Sequence, residues 1–196
     1  MGSGYSGLYI NTYGYRIFRL AKIEQNRNLS MEAISVIASR TAGLDLNEHP
    51  RGKSLTAKQK KAVKNKIIAR TATRNEFKKY MSDKRFSERR KEGVNQFWMQ
   101  ERRRLQNGQS PTRTWSNEQK EAILGKKRPT YNGKTIQGHH VFSANKYPHL
   151  ANQGNVIYPV TFDEHLYGWH GGNFKNSLPG QPINYAKKYD FRSKKQ

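Results

Sequence analysis

Charge is concentrated in the middle third of this chain, and that distribution limits how much of the chain can pack into a core. Of the 196 residues, positions 51–128 contain 24 Lys and Arg against 7 Asp and Glu, whereas positions 1–50 contain 5 against 4 and positions 129–196 contain 8 against 3. Hydrophobic residues make up 34% of the chain, and a compact globule usually has about 45% when glycine is counted. We therefore expect a small core and much solvated helix. We also expect the basic segment to bind a polyanion in a salt-dependent manner; the alternative is that its charge merely keeps the protein soluble.

Membrane-spanning and disulfide-bonded classes of protein do not fit the sequence. No apolar run approaches the roughly 18 residues that a transmembrane helix needs. The segment Met1–Tyr5 lacks the basic start and the apolar stretch of a secretory signal. We therefore expect a cytoplasmic site of action, or delivery into a target cell if the protein is a toxin. The chain has no cysteine, so a bound metal would need His, Asn or carboxylate ligands.

The basic segment has the apolar spacing of helices. Thr56 and Gln59 form a capping-box pattern, which predicts a long amphipathic helix reaching Met81. Ser82 is the expected start of a second helix that ends near Gly108, and Phe97 and Trp98 are expected on its apolar side, in the protein core. Two basic clusters would line its outer surface and bind nucleic acid: Arg89, Arg90, Lys91, Arg102, Arg103 and Arg104.

The sequence predicts three parts of the chain. Residues 1–50 are a Gly- and Tyr-rich lead-in followed by a short helix from Ser30 to near Gly43. Residues 51–110 are a basic helical arm. The segment Asn107–Pro111 then separates this arm from a third part, residues 111–196.

The third part has strand and turn signals followed by a helix start. An Asn132-Gly133 turn predicts a hairpin, and His139 and His140 would lie on the strand after it. Asn155–Pro159 is the expected returning strand, with Pro159 at its end. Thr161–Glu164 is a capping-box pattern that opens a helix. The predicted fold class is α+β, a mainly helical basic N-terminal region followed by a C-terminal ββα-metal module.

Five of the six histidines lie between His139 and His170. Imidazole binds transition metals and accepts a proton near neutral pH, so this cluster within a polycation favours metal-assisted chemistry on a polyanion. His165 and His170 are five residues apart, which places them about 140° apart on a regular helix. Both could bind one metal only if the helix loosens at Gly168. His49 and His149 are expected to be exposed and have no predicted role.

The joint pattern Gly138-His139-His140, Asn155, His165 and Trp169–Asn173 resembles the GHH branch of the HNH/endonuclease VII (His-Me finger) nuclease superfamily. Members occur as C-terminal nuclease modules of bacterial polymorphic toxins. The resemblance covers roughly residues 111–182, and we see none for residues 1–110.

The resemblance implies a role for each matching position. His139 would coordinate the metal, His140 would be the general base that deprotonates the attacking water, and Asn155 would orient that base. His165 and His170 would complete the metal ligation. Asn173 is an alternative metal ligand to His170. Apart from the resemblance, the basic side chain of Lys175 is a candidate phosphate contact. The implied cofactor is one divalent ion, which could be Mg, Mn, Zn or Ni.

The leading functional prediction is therefore a metal-dependent endonuclease that hydrolyses phosphodiester bonds of DNA with little sequence specificity. RNA remains an open alternative substrate. A role as an antibacterial toxin would imply an acidic immunity protein as partner. The alternative is a nonenzymatic basic nucleic-acid-binding protein, in which four histidines close a structural zinc site and none remains free as a base.

Overall fold

The computed structural model describes residues 39–170 together with Asn173 and Phe174, and this part of the chain has an α+β fold. Three α-helices precede two short antiparallel strand pairs, and a π-helix follows. The elements, numbered here in chain order, are α1 (Ala57–Ile68), α2 (Arg74–Gln106), α3 (Asn117–Leu124), β1 (Thr130–Tyr131), β2 (Lys134–Thr135), β3 (Gln137–His140), β4 (Ile157–Val160) and the π-helix (Glu164–Trp169).

The two basic helices differ from the prediction in where one ends and the next begins. Helix α1 starts at the predicted capping box, in which Thr56 Oγ1 accepts from the main-chain N–H of Gln59. The prediction of one helix to Met81 and a second from Ser82 is wrong. The chain turns after Ile68, and a second capping box, formed by Thr73 and Glu76, starts α2 there. Reciprocal capping satisfies main-chain N–H groups that would otherwise have no partner, which favours a new helix start at this point.

Helix α2 is 33 residues long, and its second half is part of the core. Phe97 and Trp98 are buried, as predicted. Gly93 lets the helix approach the loop before β4, because a Cβ at this position would lie 2.5 Å from the carbonyl oxygen of Ala151. Only a residue without a side chain fits so close to another main chain.

The strand pairs follow the predicted order with a shift in the second pair. Asn132 and Gly133 both have positive φ, as a tight hairpin turn between β1 and β2 requires. Strands β3 and β4 are antiparallel, and Pro159 lies opposite Gly138 inside the pair rather than at its end. Proline is tolerated there because β4 is an edge strand. Asn155 precedes β4 in a 3₁₀ turn, so its predicted place on the strand is wrong.

One core joins the helices to the strands. It contains Phe97 and Trp98 from α2, Ile123 from α3, and Val141 and Val160 from the strand region. The predicted boundary near residue 110 lies in an exposed segment between α2 and α3, both of which contribute to this core. In residues 39–170 no helix has the length and apolarity needed to span a membrane. The predicted lead-in and most of the Ser30 helix lie outside the described residues, as does Lys175.

Candidate functional site

The imidazoles of His139, His165 and His170 form one group. His139 lies on β3 and is almost completely buried, and the other two belong to the π-helix and its C-terminal end. One ring nitrogen from each residue lies within 4.8 Å of the others. The ring centroid of His139 is 5.0 Å from that of His165 and 5.2 Å from that of His170. A strand and a helical turn that are distant in sequence thus present three metal-ligating side chains to one point.

The π-helix brings the side chains of His165 and His170 together although the residues are five positions apart. The main-chain N–H of His170 donates to the carbonyl of His165 at 3.1 Å, which is the i to i+5 bond of a π-helix. Residues five apart therefore lie one above the other, and the two Nε2 atoms are 3.2 Å apart. The regular-helix separation of about 140° does not occur. The wider winding is a local feature of the kind that occurs frequently at functional sites.

The donor set fits a divalent metal ion. Two nitrogens bound to one zinc ion at about 2.0–2.1 Å lie about 3.3 Å apart in tetrahedral geometry, close to the 3.2 Å between the Nε2 atoms of His165 and His170. His165 Nδ1 lies 2.5 Å from the side-chain oxygen of Gln137. An imidazole that donates one N–H to such an oxygen directs its other nitrogen, here Nε2, at a metal.

The same environment keeps His165 in the form that binds metal. Burial lowers the pKa of His165 to about 4, and electrostatic interactions with His170, Arg90 and His140 act in the same direction. The ring is therefore neutral at pH 7, and a neutral imidazole is the form that binds metal.

His140 is held outside this group. Its Nε2–H donates to the carbonyl of Ala151 at 2.9 Å. Because a carbonyl only accepts, this bond makes Nδ1 the nitrogen with the lone pair. Burial lowers the pKa of His140 to about 4; the bond to Ala151 opposes that shift and the charge of Arg90 reinforces it. The ring is therefore neutral at pH 7, with a pKa below the unperturbed 6.5 assumed from sequence.

The hydrogen-bond partner of His140 is the main-chain carbonyl of Ala151. Asn155 itself is partly buried in the turn that leads into β4. Asn173 is exposed, and its main-chain N–H donates to the carbonyl of His170. Its neighbour Phe174 packs against the rings of both His165 and His170. These contacts place Asn173 beside the group of three histidines.

Two long-range contacts fix the backbone around the site. A Cβ on Gly138 would lie 2.9 Å from side-chain atoms of Val94 and Ile157, so glycine lets β3 lie directly on α2. Arg113 donates to both carboxylate oxygens of Glu164, at 2.9 and 3.2 Å, and to the carbonyl of Pro159. Since Glu164 precedes His165, this pair anchors the start of the π-helix to the segment after α2.

The predicted nucleic-acid-binding residues have different surroundings. Arg90 and Lys91 are exposed, and Arg90 is close enough to His140 and His165 to lower the pKa of both. Arg89 instead donates to the carbonyl of His149 and the side chain of Asn152. A second set lies at the end of α2: Arg104 donates to buried Glu101, Arg102 is partly buried and Arg103 is exposed.

Sequence reasoning missed the positioning residues. Gln137, Ala151 and Arg113 act through contacts with partners that are 28, 11 and 51 residues away. The capping box of Thr161 and Glu164 was predicted and is confirmed by reciprocal hydrogen bonds. This capping box is the local signal that could have pointed to the contact with Arg113, because it marks Glu164 as a carboxylate with a structural role.

A strand pair and a following helical turn that carry four imidazoles are consistent with an HNH-type nuclease module. Residues 82–161 match the model of a family described as GHH signature containing HNH/Endo VII superfamily nuclease toxin. This match confirms the resemblance found in the sequence and supports a nuclease. A search of curated proteins finds none that matches the chain.

The limits of the match differ from those of the predicted resemblance. It begins within α2 rather than at residue 111, and it ends before His165 and His170. The earlier start has a structural reason, because the second half of α2 packs on β3 and on the turn before β4.

Proposed function

We propose that this chain is a metal-dependent endonuclease that hydrolyses phosphodiester bonds of DNA with little sequence specificity. The observation that carries the proposal is the separation of two kinds of imidazole. His139, His165 and His170 converge on one point, whereas His140 is held beside them by a main-chain carbonyl. A structural zinc site closed by all four histidines would need His140 in the group. Its attachment to Ala151 favours the nuclease over that alternative.

His140 is the proposed general base. Its Nε2–H is fixed by Ala151, so Nδ1 is the atom that accepts a proton from the attacking water. The charge of Arg90 helps keep the ring neutral before substrate binds. A phosphate that binds beside Arg90 would partly offset this charge and raise the pKa of His140, which makes the imidazole a stronger base when the substrate is in place.

The group of three histidines is the proposed metal site, with Asn173 as the alternative to His170. A divalent ion bound there would supply positive charge for the phosphate oxygens and for the leaving 3′ oxygen. His139 and His165 are fixed by β3 and by Gln137, respectively, and His170 by the π-helix. Asn155 and Lys175 keep their proposed roles as a residue that supports the base and a phosphate contact.

Exposed basic side chains of α1 and α2 are proposed to bind the nucleic-acid backbone. Arg90 is the member of this set whose charge lowers the pKa of the candidate base, so we assign it to the scissile phosphate and Lys91 and Arg103 to flanking phosphates. Contacts of this kind read charge and not bases, which explains the low sequence specificity that we propose. As a toxin, the protein would act in a target cell and be neutralised by an acidic immunity protein.

Incubation of supercoiled plasmid with wild type and with His140→Ala, each with and without EDTA, tests this function. We expect wild type to nick the plasmid only without EDTA, and His140→Ala to be slower by about 10²- to 10⁴-fold. A parallel reaction with single-stranded RNA tests the substrate class. Nicking that persists in EDTA, or equal rates for both proteins, would contradict the proposal. A shift in plasmid mobility without nicking would identify a coating protein.

A further inference from the structure

A second group of metal-ligating side chains lies outside the candidate nuclease site. It consists of Asp45, His49 and His149, and one potential ligand atom from each lies within 4.8 Å of the others. His49 Nε2 is 2.8 Å from a carboxylate oxygen of Asp45. The rings of His49 and His149 meet edge to face, with centroids 4.7 Å apart. From the sequence, both histidines are expected to be exposed and neither has a predicted role.

His149 has one ring nitrogen in a hydrogen bond and one without a hydrogen-bond partner in the part of the chain that the structure describes. Its Nε2–H donates to the main-chain carbonyl of Asp45 at 2.8 Å, so the lone pair is on Nδ1. That Nδ1 atom is buried and has no hydrogen-bond partner among the described residues. Buried polar atoms are nearly always paired. Metal-ligating histidines commonly donate their other N–H to a carbonyl in this way.

Asp45 supplies the anionic ligand. A hydrogen bond from the main-chain N–H of Asn47, together with the contact to His49, lowers the pKa of Asp45 to about 2. The side chain is therefore a carboxylate at neutral pH. Two imidazoles and one carboxylate form a ligand set that suits Zn²⁺, with water in the fourth position.

The group lies at a junction between two parts of the chain. The main-chain N–H of His49 donates to the carbonyl of Lys146, and that of Arg51 donates to the carbonyl of Asn145. The segment 45–51 is thereby attached to the loop 145–149. That loop leads to Ala151, whose carbonyl holds His140.

We propose that Asp45, His49 and His149 bind a zinc-like divalent ion, which fastens segment 45–51 to the loop preceding Ala151. This structural site is separate from the nuclease function and does not depend on it. An ion bound there would hold together two segments whose main chains already share hydrogen bonds, and it would stabilise the folded state by mass action.

Titration of the full chain with Zn²⁺ tests this site. In a chain with His139→Ala, His165→Ala and His170→Ala, we expect one Zn²⁺ to bind and to raise the melting temperature. Adding either Asp45→Asn or His49→Ala should abolish both effects. Glu48→Gln is the matched control, since it removes the same charge as Asp45→Asn from a neighbouring carboxylate that contacts Lys146 and not the histidines.

Each result of the titration decides the proposal. Zn²⁺ binding that is lost with Asp45→Asn and kept with Glu48→Gln supports it. Absence of binding in the starting variant, or binding that survives His49→Ala, overturns it. If the triple variant does not fold by circular dichroism, the same titration compares wild type with His49→Ala, and the expected number of bound ions falls by one. An unchanged number would overturn the proposal.

Discussion

In helix α2, the fully buried carboxylate of Glu101 accepts hydrogen bonds from the main-chain N–H of Thr112 and from the indole of Trp115. On β3, by contrast, the buried imidazole of His139 lies against the imidazoles of His165 and His170. The first arrangement pairs an anion with donors. The second brings three imidazoles to one point, where each offers a potential metal-ligating nitrogen. Buried polar residues therefore stabilise the fold in the helical region and prepare a site in the strand region.

The largest expected effect is the loss of the Glu101 network. Glu101→Ala leaves Trp115 Nε1 and the main-chain N–H of Thr112 without their acceptor and leaves Arg40 near an empty position. We expect a loss of about 3–5 kcal/mol in the free energy of unfolding, measured by urea denaturation. Glu121→Ala, at an exposed position of α3, is the control and should change it little. Equal effects of both substitutions would show that burial of Glu101 does not matter.

Gly93→Ala tests whether the helix and the site are mechanically connected. The added Cβ would lie 2.5 Å from the carbonyl oxygen of Ala151, which must then move. We expect a loss of about 1–3 kcal/mol in stability and a fall in plasmid cleavage, because Ala151 holds His140. Gly52→Ala, which meets no neighbouring atom, is the matched control. Full activity of Gly93→Ala would separate the position of Ala151 from catalysis.

Arg89 and Arg90 are adjacent and should respond differently. We expect Arg90→Ala to lower kcat for plasmid cleavage by about 10- to 100-fold with little change in melting temperature, since its charge faces the imidazoles. Arg89→Ala should instead lower the free energy of unfolding by about 1 kcal/mol, because its partners are the carbonyl of His149 and the side chain of Asn152. A larger fall in kcat for Arg89→Ala would reverse this assignment.

The smallest expected effect concerns stability in acid. Burial tends to raise the pKa of Asp83, but hydrogen bonds from the Leu55 N–H and from Arg51 outweigh it, so the pKa is lowered on folding. A lowered carboxyl pKa stabilises the fold above the unfolded value near 4, and this contribution disappears as pH falls through the folded value. Between pH 7 and pH 3, the melting temperature should therefore fall less steeply for Asp83→Asn than for wild type. Parallel declines for wild type and variant would contradict this account.

Local signals in the sequence predicted most of the elements. Capping boxes at Thr56 and Thr161 and the Asn132-Gly133 turn are formed by neighbouring residues, and all three are confirmed. The predicted start of α2 is wrong because the capping box at Thr73 lies within a continuous apolar pattern.

Features that depend on distant contacts could not be predicted. The π-helical winding brings His165 and His170 together, yet their spacing alone does not distinguish it from a loosened helix. The bond from His140 to Ala151 involves a main-chain carbonyl, which leaves no trace in residue identity. The group of Asp45, His49 and His149 joins positions about a hundred residues apart. In each case the missing information is tertiary packing.

The central claim is that three imidazoles bind the metal and that His140 is a separate base. Zn²⁺ affinity and plasmid cleavage measured together in His140→Ala and His165→Ala test it most directly. Both variants should also carry His49→Ala, so that the group at Asp45 does not contribute to binding. We expect His140→Ala to keep its affinity and lose cleavage, and His165→Ala to lose both. Loss of Zn²⁺ affinity in His140→Ala, or cleavage at the wild-type rate, would contradict the account.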